Sequence, residues 1–192
     1  MVFGVFRSRS PYQETARTLY GSVVAKARDV AFYNTLGVPD TLDGRYDMLV
    51  IHAALLLRRL STVDPGQAPL RRAPAARLAQ AVFDLMMRDM DSCLREIGVS
   101  DMKVGKEVKK MARAYFGRAY AYEAGWRDGT LEEAVRATLY RAVSPTPAQV
   151  AAMVAYMTRE AEALAQQPEA SFLAGTLAFG PVPALLDVQE GA

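Results

Sequence analysis

The side chains on which metal centres and nucleophilic enzymes depend are almost missing from this 192-residue chain: there is one cysteine, Cys93, and one histidine, His52. No intrachain disulfide can form, which fits a reducing compartment, and a Cys/His zinc site would lack ligands. An excess of one charge is also lacking. Lys and Arg number 23 and Asp and Glu 21, for a net charge of +2. No chain-wide field draws in nucleic acid, so any basic site is local and DNA is not an expected partner. Long apolar runs are absent as well. The longest, "MLVIHAALLL" from Met48 to Leu57, falls far short of the ~20 residues of a bilayer-spanning helix and reads as a buried core helix. The N-terminal "MVFGVFRSRSP" places its apolar residues before Arg7 and Arg9, the reverse of a secretory signal. It is either a frayed terminus, with residues 1–10 flexible, or a weak membrane-surface contact. There is no Gly-rich phosphate loop, metal-ligand quartet, Ser/His/Asp set, internal repeat or low-complexity segment.

What is present is helical. The composition, 51% hydrophobic and 23% charged, is that of a globular protein, and no useful strand alternation occurs. Ser10, Pro11 and Gln13 signal a helix start, with the helix running to Gly37 and bending at Gly21 and Ser22. A second helix covers 42–60 and is apolar on most sides beyond Met48, which makes it central. Its C-terminal Arg58 and Arg59 suit the helix dipole. Residues 61–74 hold three prolines and a glycine and read as an irregular loop. Further helices are expected over 74–97 with Gly98 as the stop, over 101–126, and over 131–143 behind a Thr130/Glu133 capping box. A sixth follows a Thr146/Pro147/Gln149 start and ends before Pro168. The fold class is all-α: a single compact domain over 1–192 of six or seven helices, with an irregular apolar C-terminal tail.

One stretch changes sign in its middle: "RDMDSCLREIGVSDMKVGKEVKKM", residues 88–111. On a helical wheel Phe83, Met86, Met87, Met90, Leu94 and Ile97 form one apolar stripe. Asp84 and Asp91 share a flank, each four residues ahead of an arginine, Arg88 and Arg95, the favourable order for ion pairs. Asp89 lies on the other flank. A Mg²⁺-dependent diphosphate enzyme needs converging carboxylates; these diverge, so they read as a structural ion-pair face. Cys93, at the edge of the stripe, is expected to be buried and inert, and His52 to be a satisfied core histidine. On the next helix Val104, Val108, Met111, Tyr115, Ala119, Tyr122 and Trp126 line the core side. Lys106, Lys109, Lys110 and Arg113 point away, and cations near a helix N-terminus oppose its dipole. Phe116 and Tyr120 continue that basic face. It is either a partner-binding strip or a solvated face whose aromatics another helix covers.

Two stretches carry a resemblance: "YNTLGVPDTLDGRYDMLVIHAALLLRRL", residues 33–60, and "FDLMMRDMDSCLREIGVSDMKVGKEVKKMARAYFGRAYAY", residues 83–122. Together they resemble the ubiquinol–cytochrome c chaperone family, which assists assembly of respiratory complex III in mitochondria and α-proteobacteria, over roughly residues 12–160. The resemblance implies a non-enzymatic, all-helical assembly factor that needs no cofactor or metal. It implies binding to newly made cytochrome b or another complex III subunit, with a small partner protein and the ribosome nearby. It implies a cytoplasmic location, peripheral at the inner membrane. Residues matching the family pattern include Asp40, Gly44, Arg45, Asp47 and His52, then Arg88, Asp89, Asp91, Arg95, Gly98, Asp101, Gly105, Lys106, Lys109 and Lys110. Asp40, Arg45 and Asp47 make a second candidate client surface beside the basic strip. The chain lacks the long N-terminal extension of mitochondrial members, as expected for a bacterial protein, which counts against ribosome binding and a stable membrane tether.

Two other functions fit the residues alone. A helical enzyme would need a deep polar cavity lined by His52 with nearby Asp or Arg. A helical adaptor unrelated to respiration would need only a large exposed apolar or basic-aromatic face.

Overall fold

The computed structural model describes residues 12–61 and 73–185. The Ser10/Pro11 start signal, the flexible terminus and most of the 61–74 loop lie outside the described residues. Among the described residues eight helices follow in order: α1 Gln13–Ala27, α2 Val30–Asn34, α3 Leu42–Ser61, α4 Pro74–Glu96, α5 Asp101–Asp128, α6 Leu131–Thr138, α7 Pro147–Gln166 and α8 Glu169–Leu173. Six are the expected longer helices, and α2 and α8 are five-residue turns of helix.

α3 is the hub, packing against α1, α4, α5 and α7. Its sequence explains this: from Asp47 to Leu57 every residue is buried, so it has no polar side to give to solvent. Its N-terminal turn passes close under the preceding loop, where a Cβ on Gly44 would stand 2.0 Å from the Pro39 carbonyl oxygen. Only glycine fits there, which accounts for a glycine inside a helix. Arg59 donates to the Leu164 and Gln167 carbonyls, each at 2.9 Å. It thus closes the C-terminal end of α7 as well as suiting its own helix dipole.

Several boundaries differ from expectation. The first helix is unbroken through Gly21 and Ser22 and ends at Arg28–Asp29, short of Gly37. Asp29 leaves the helical region and accepts from the Ala31 amide at 3.1 Å, starting α2. A short carboxylate that caps a new helix competes with continuation of the old one. α6 stops at Thr138, not 143, and Thr130 makes no side-chain cap. The released turn lets Tyr140 donate to the Leu36 carbonyl at 2.7 Å and lets Arg141 reach α3. The Thr146/Gln149 capping box is formed reciprocally, and Gly98 terminates α4 with φ +89°.

The tail packs on the bundle through Leu177, Phe179, Val182 and Leu185. Phe179 meets the His52 ring edge-on at 5.1 Å. Gly180 donates to Glu160 Oε2 at 2.7 Å, and Gln167 donates to the Ala178 carbonyl at 3.0 Å. Glu160 is buried and pairs with Arg159 at 2.7 Å, so the tail satisfies a carboxylate that burial would otherwise penalise.

Candidate partner-binding surface

α5 presents one face to the bundle and the other to solvent. Val104, Tyr115 and Tyr122 are buried, and Val108, Met111, Ala119 and Trp126 are partly buried, so the expected core side is the core side. Lys106, Lys109, Lys110 and Arg113 are all exposed. Phe116 and Tyr120 are 59% and 72% exposed. Among the described residues no helix covers Tyr120; Phe116 packs at a tilt on Phe83, at 5.2 Å between ring centroids, and edge-on against Tyr115 at 5.3 Å. Met102, one turn before Lys106 on the same face, is 96% exposed. Among the described residues Lys103, Lys106, Lys109 and Arg113 have no acidic partner, and Lys110 has only Glu107 at 4.0 Å. On other helices Arg17, Arg45, Arg58, Arg95 and Arg136 each hold an acid within 3.2 Å, and on α5 itself Arg118 does so on the buried side and Arg127 in the last turn.

The second candidate surface divides. Asp40 and Arg45 are exposed and pair at 2.6 Å, and the Arg45 hydrogen bond holds the Asp40 carboxyl below its usual range. Asp47 corrects the sequence expectation, for it is 1% exposed and no client can touch it. Its Oδ1 lies 2.7 Å from Arg118, its Oδ2 takes Arg141, and Arg141 also reaches Asp43 at 3.3 Å. Burial pushes the Asp47 carboxyl up against the pull of the two guanidinium groups. Arg118 sits 5.7 Å from the centre of the Tyr46 ring, whose hydroxyl donates to the Met111 carbonyl at 2.7 Å. The cluster ties α3 to α5 and to the turn after α6.

α4 keeps half of the expected ion-pair face. Arg95 pairs with Asp91 at 2.7 Å and also with Asp101, clamping the turn between α4 and α5. Asp84 instead accepts from Gln80 at 2.7 Å, and no ion pair joins it to Arg88. Arg88 lines a cleft beside α1 with Gln13 and Arg17. Asp89, on the opposite flank, accepts the Tyr20 hydroxyl at 2.7 Å and binds α1 to α4. The buried stripe of α4 is Ala75, Leu78, Ala79, Val82, Met86 and Met90, so Met86 and Met90 of the expected stripe are buried and its other members are not. Phe83, Met87 and Leu94 are partly buried and Ile97 is 59% exposed. Cys93 is exposed, not buried, as are its neighbours Ser92, Arg95 and Glu96 in the last turn of α4. Partial desolvation of the sulfur, with the Asp89 and Glu96 carboxylates, pushes its thiol up, away from the nucleophilic thiolate.

His52 is fully buried. Its Nδ1 lies 2.8 Å from the Met48 carbonyl and its Nε2 2.8 Å from the Tyr156 hydroxyl. A carbonyl only accepts, so Nδ1 carries the proton and Nε2 accepts from Tyr156. Both nitrogens are used, which leaves none for a ligand. A groove of about 900 Å³ between α4, α5 and the start of α1 is lined by Phe83, Tyr115 and Phe116, not by His52. Among the described residues no group of three or more His, Cys, Asp or Glu is placed to hold a metal ion, and no helix is long and apolar enough to cross a membrane.

Burial lowers the His52 pKa from 6.5 to about 4, with Lys26 adding to the effect and Asp29 opposing it. The folded state therefore binds this proton less tightly than the unfolded chain. The resulting stabilisation is complete above the unfolded pKa and is lost as pH falls from about 6.5 towards about 4. Moving from about pH 7 to about pH 5 should cost roughly 2 kcal/mol through this one group. Urea midpoints of the wild type should fall across that interval, and those of His52→Gln should fall less. Equal slopes in the two proteins would show that His52 does not govern this window.

The chain is matched over residues 34–179 by the family model described as "Ubiquinol-cytochrome C chaperone". It belongs to the ubiquinol–cytochrome c chaperone family. The chaperone fold is also that of a solved structure, the crystal structure of the Cbp3 homolog from Brucella abortus. The two share 31% sequence identity with a TM-score of 0.76, over 95% of this chain and 98% of that one. A search of curated proteins returns no match. The span matched to the ubiquinol–cytochrome c chaperone model runs from the end of α2 to Phe179, so it takes in the tail segment that closes over His52. That segment could have been anticipated only from its apolar composition. The Arg118–Asp47–Arg141 tie left no local signal, because its members are far apart in sequence.

Proposed function

We propose that this chain is a non-enzymatic assembly chaperone for ubiquinol–cytochrome c reductase that binds newly made cytochrome b at the cytoplasmic face of the inner membrane. The observation that carries this reading is the family match, which spans most of the folded chain. The Brucella abortus relative, named as a Cbp3 homolog, supports it. The surface supports it too. The candidate that best fits a docking role is the outward face of α5, with Lys106, Lys109, Lys110, Arg113, Phe116 and Tyr120, because exposed aromatics and arginine are enriched at interfaces and the cations are placed to steer an acidic partner. Asp40 and Arg45 form the second exposed candidate. Asp84, Arg88, Asp91, Arg95 and His52 act on the fold and not on the client.

A clean deletion strain tests the proposal. Assembled complex III should fall while the other respiratory complexes stay largely intact. Normal cytochrome b abundance together with normal quinol–cytochrome c activity would reject it.

A further inference from the structure

We infer that the groove between α4, α5 and the start of α1 is a binding site for one long-chain fatty acid, with the carboxylate on Arg88 and the chain laid over the aromatic floor. None of the α5 cations assigned to the client lines this groove, and Phe116 is the one residue of that face that does. The floor is apolar. Leu57 and Tyr115 are buried and Phe83 is half-buried, with the Phe83 ring 5.2 Å from the rings of both Tyr115 and Phe116. A concave apolar surface of about 900 Å³ falls within the ~300–1,000 Å³ range of small-molecule sites, where a few polar groups fix the ligand's orientation.

Those polar groups gather where the groove meets α1. There it runs into a cleft of about 260 Å³ that shares Gln13, Ala81 and Arg88 with it and adds Arg17. Arg88 is exposed and has no acid or hydrogen-bond partner among the described residues. Arg17 has Glu14 alone, at 3.2 Å. Asp84, the one acid in either lining, is engaged by Gln80 at 2.7 Å. Arg17, Arg77 and Arg88 thus face one occupied aspartate, a balance that calls for an anion. A guanidinium takes a carboxylate through two parallel hydrogen bonds. The length fits as well. From Arg88 back to Ala76, at the other end of the lining, α4 runs about 18 Å at ~1.5 Å per residue. One acyl chain spans about 15 Å, half the ~30 Å hydrocarbon core of a bilayer. An acidic partner helix matches less well, because its successive anchors lie along a groove, whereas Arg17, Arg88 and Gln13 gather at one end as a single head group requires.

The test is titration of the full chain with the fluorescent fatty acid cis-parinarate, followed by competition. Binding should saturate at one equivalent and be displaced by palmitate, with hexadecanol, which lacks the carboxylate, at least about tenfold weaker. Arg88→Ala should weaken palmitate about tenfold or more, the usual loss for a hydrogen bond to a charged group. Arg88→Lys, which keeps the charge but not the fork, should recover part of that loss. Arg77→Ala should bind as the wild type does. Ala76→Phe should weaken palmitate and spare dodecanoate, since it fills the end of the groove that only the longer chain reaches. Arg77 and Arg88 are both exposed, so both alanine variants should melt with the wild type. Absence of saturable binding overturns the inference. So does equal competition by hexadecanol, wild-type affinity in Arg88→Ala, or a loss in Arg77→Ala in place of Arg88→Ala. Binding of an acidic amphipathic helical peptide without binding of palmitate overturns it in favour of a protein partner. None of these measurements depends on the client reading of α5, so either can fail alone.

Discussion

Lys106→Glu/Lys109→Glu/Arg113→Glu should melt close to the wild type and yet fail to restore complex III in a deletion strain. The stability half follows from exposure: all three side chains are open to solvent and none has an acidic partner among the described residues. Exposed charges contribute well under ~1 kcal/mol each, and acids in the first turns of α5 suit the helix N-terminus better than lysines do. The functional half follows from the proposal that this face docks. Reversing three charges turns attraction into repulsion, and the effect should grow as salt is lowered. The measurements are a thermal melt beside complementation at matched expression. Full complementation would make the strip an ordinary solvated face and move the client site to the exposed Asp40–Arg45 surface.

The opposite behaviour is expected at Asp47. Asp47→Ala should destabilise the fold by about 3–5 kcal/mol, because removing one member of a buried ion pair strands the other charges. For a chain of this size that corresponds to roughly 6–20 °C in melting temperature. Arg141 can turn towards Asp43 and solvent, but Arg118 is only 15% exposed and would keep an uncompensated charge in the bundle. Asp47→Ala/Arg118→Leu should therefore recover part of the loss, since removing both charges also removes their desolvation cost. A single Asp47→Ala variant within ~1 kcal/mol of wild type would mean that the cluster does not hold α3 to α5. The two experiments separate binding from folding: one leaves stability alone and removes function, the other removes stability directly.

The sequence by itself determined the all-α class, the six longer helices and the two faces of α5. These are local properties. A 3.6-residue apolar period marks a buried side whatever packs on it. The Thr146/Gln149 box and the glycine after α4 end or start helices through hydrogen bonds within a few residues. The His52 environment was also legible, for a histidine inside an unbroken apolar helix has to be neutral and bonded. Tertiary structure alone decided the rest. Asp47 looks like a surface acid in "GRYDMLVIH", and it is buried only because Arg141, 94 residues away, and Arg118 fold back onto it. Cys93 sits in line with a buried stripe and is exposed, because among the described residues the packing on α4 does not reach its last turn. Asp84 stands four residues before Arg88, yet it bonds Gln80 while Arg88 lines the cleft beside α1. The tail reads as loose apolar residues until Glu160 and His52 give it hydrogen-bonding and packing partners. Periodicity tells a residue which way it faces, but burial and pairing depend on neighbours brought in from elsewhere in the chain.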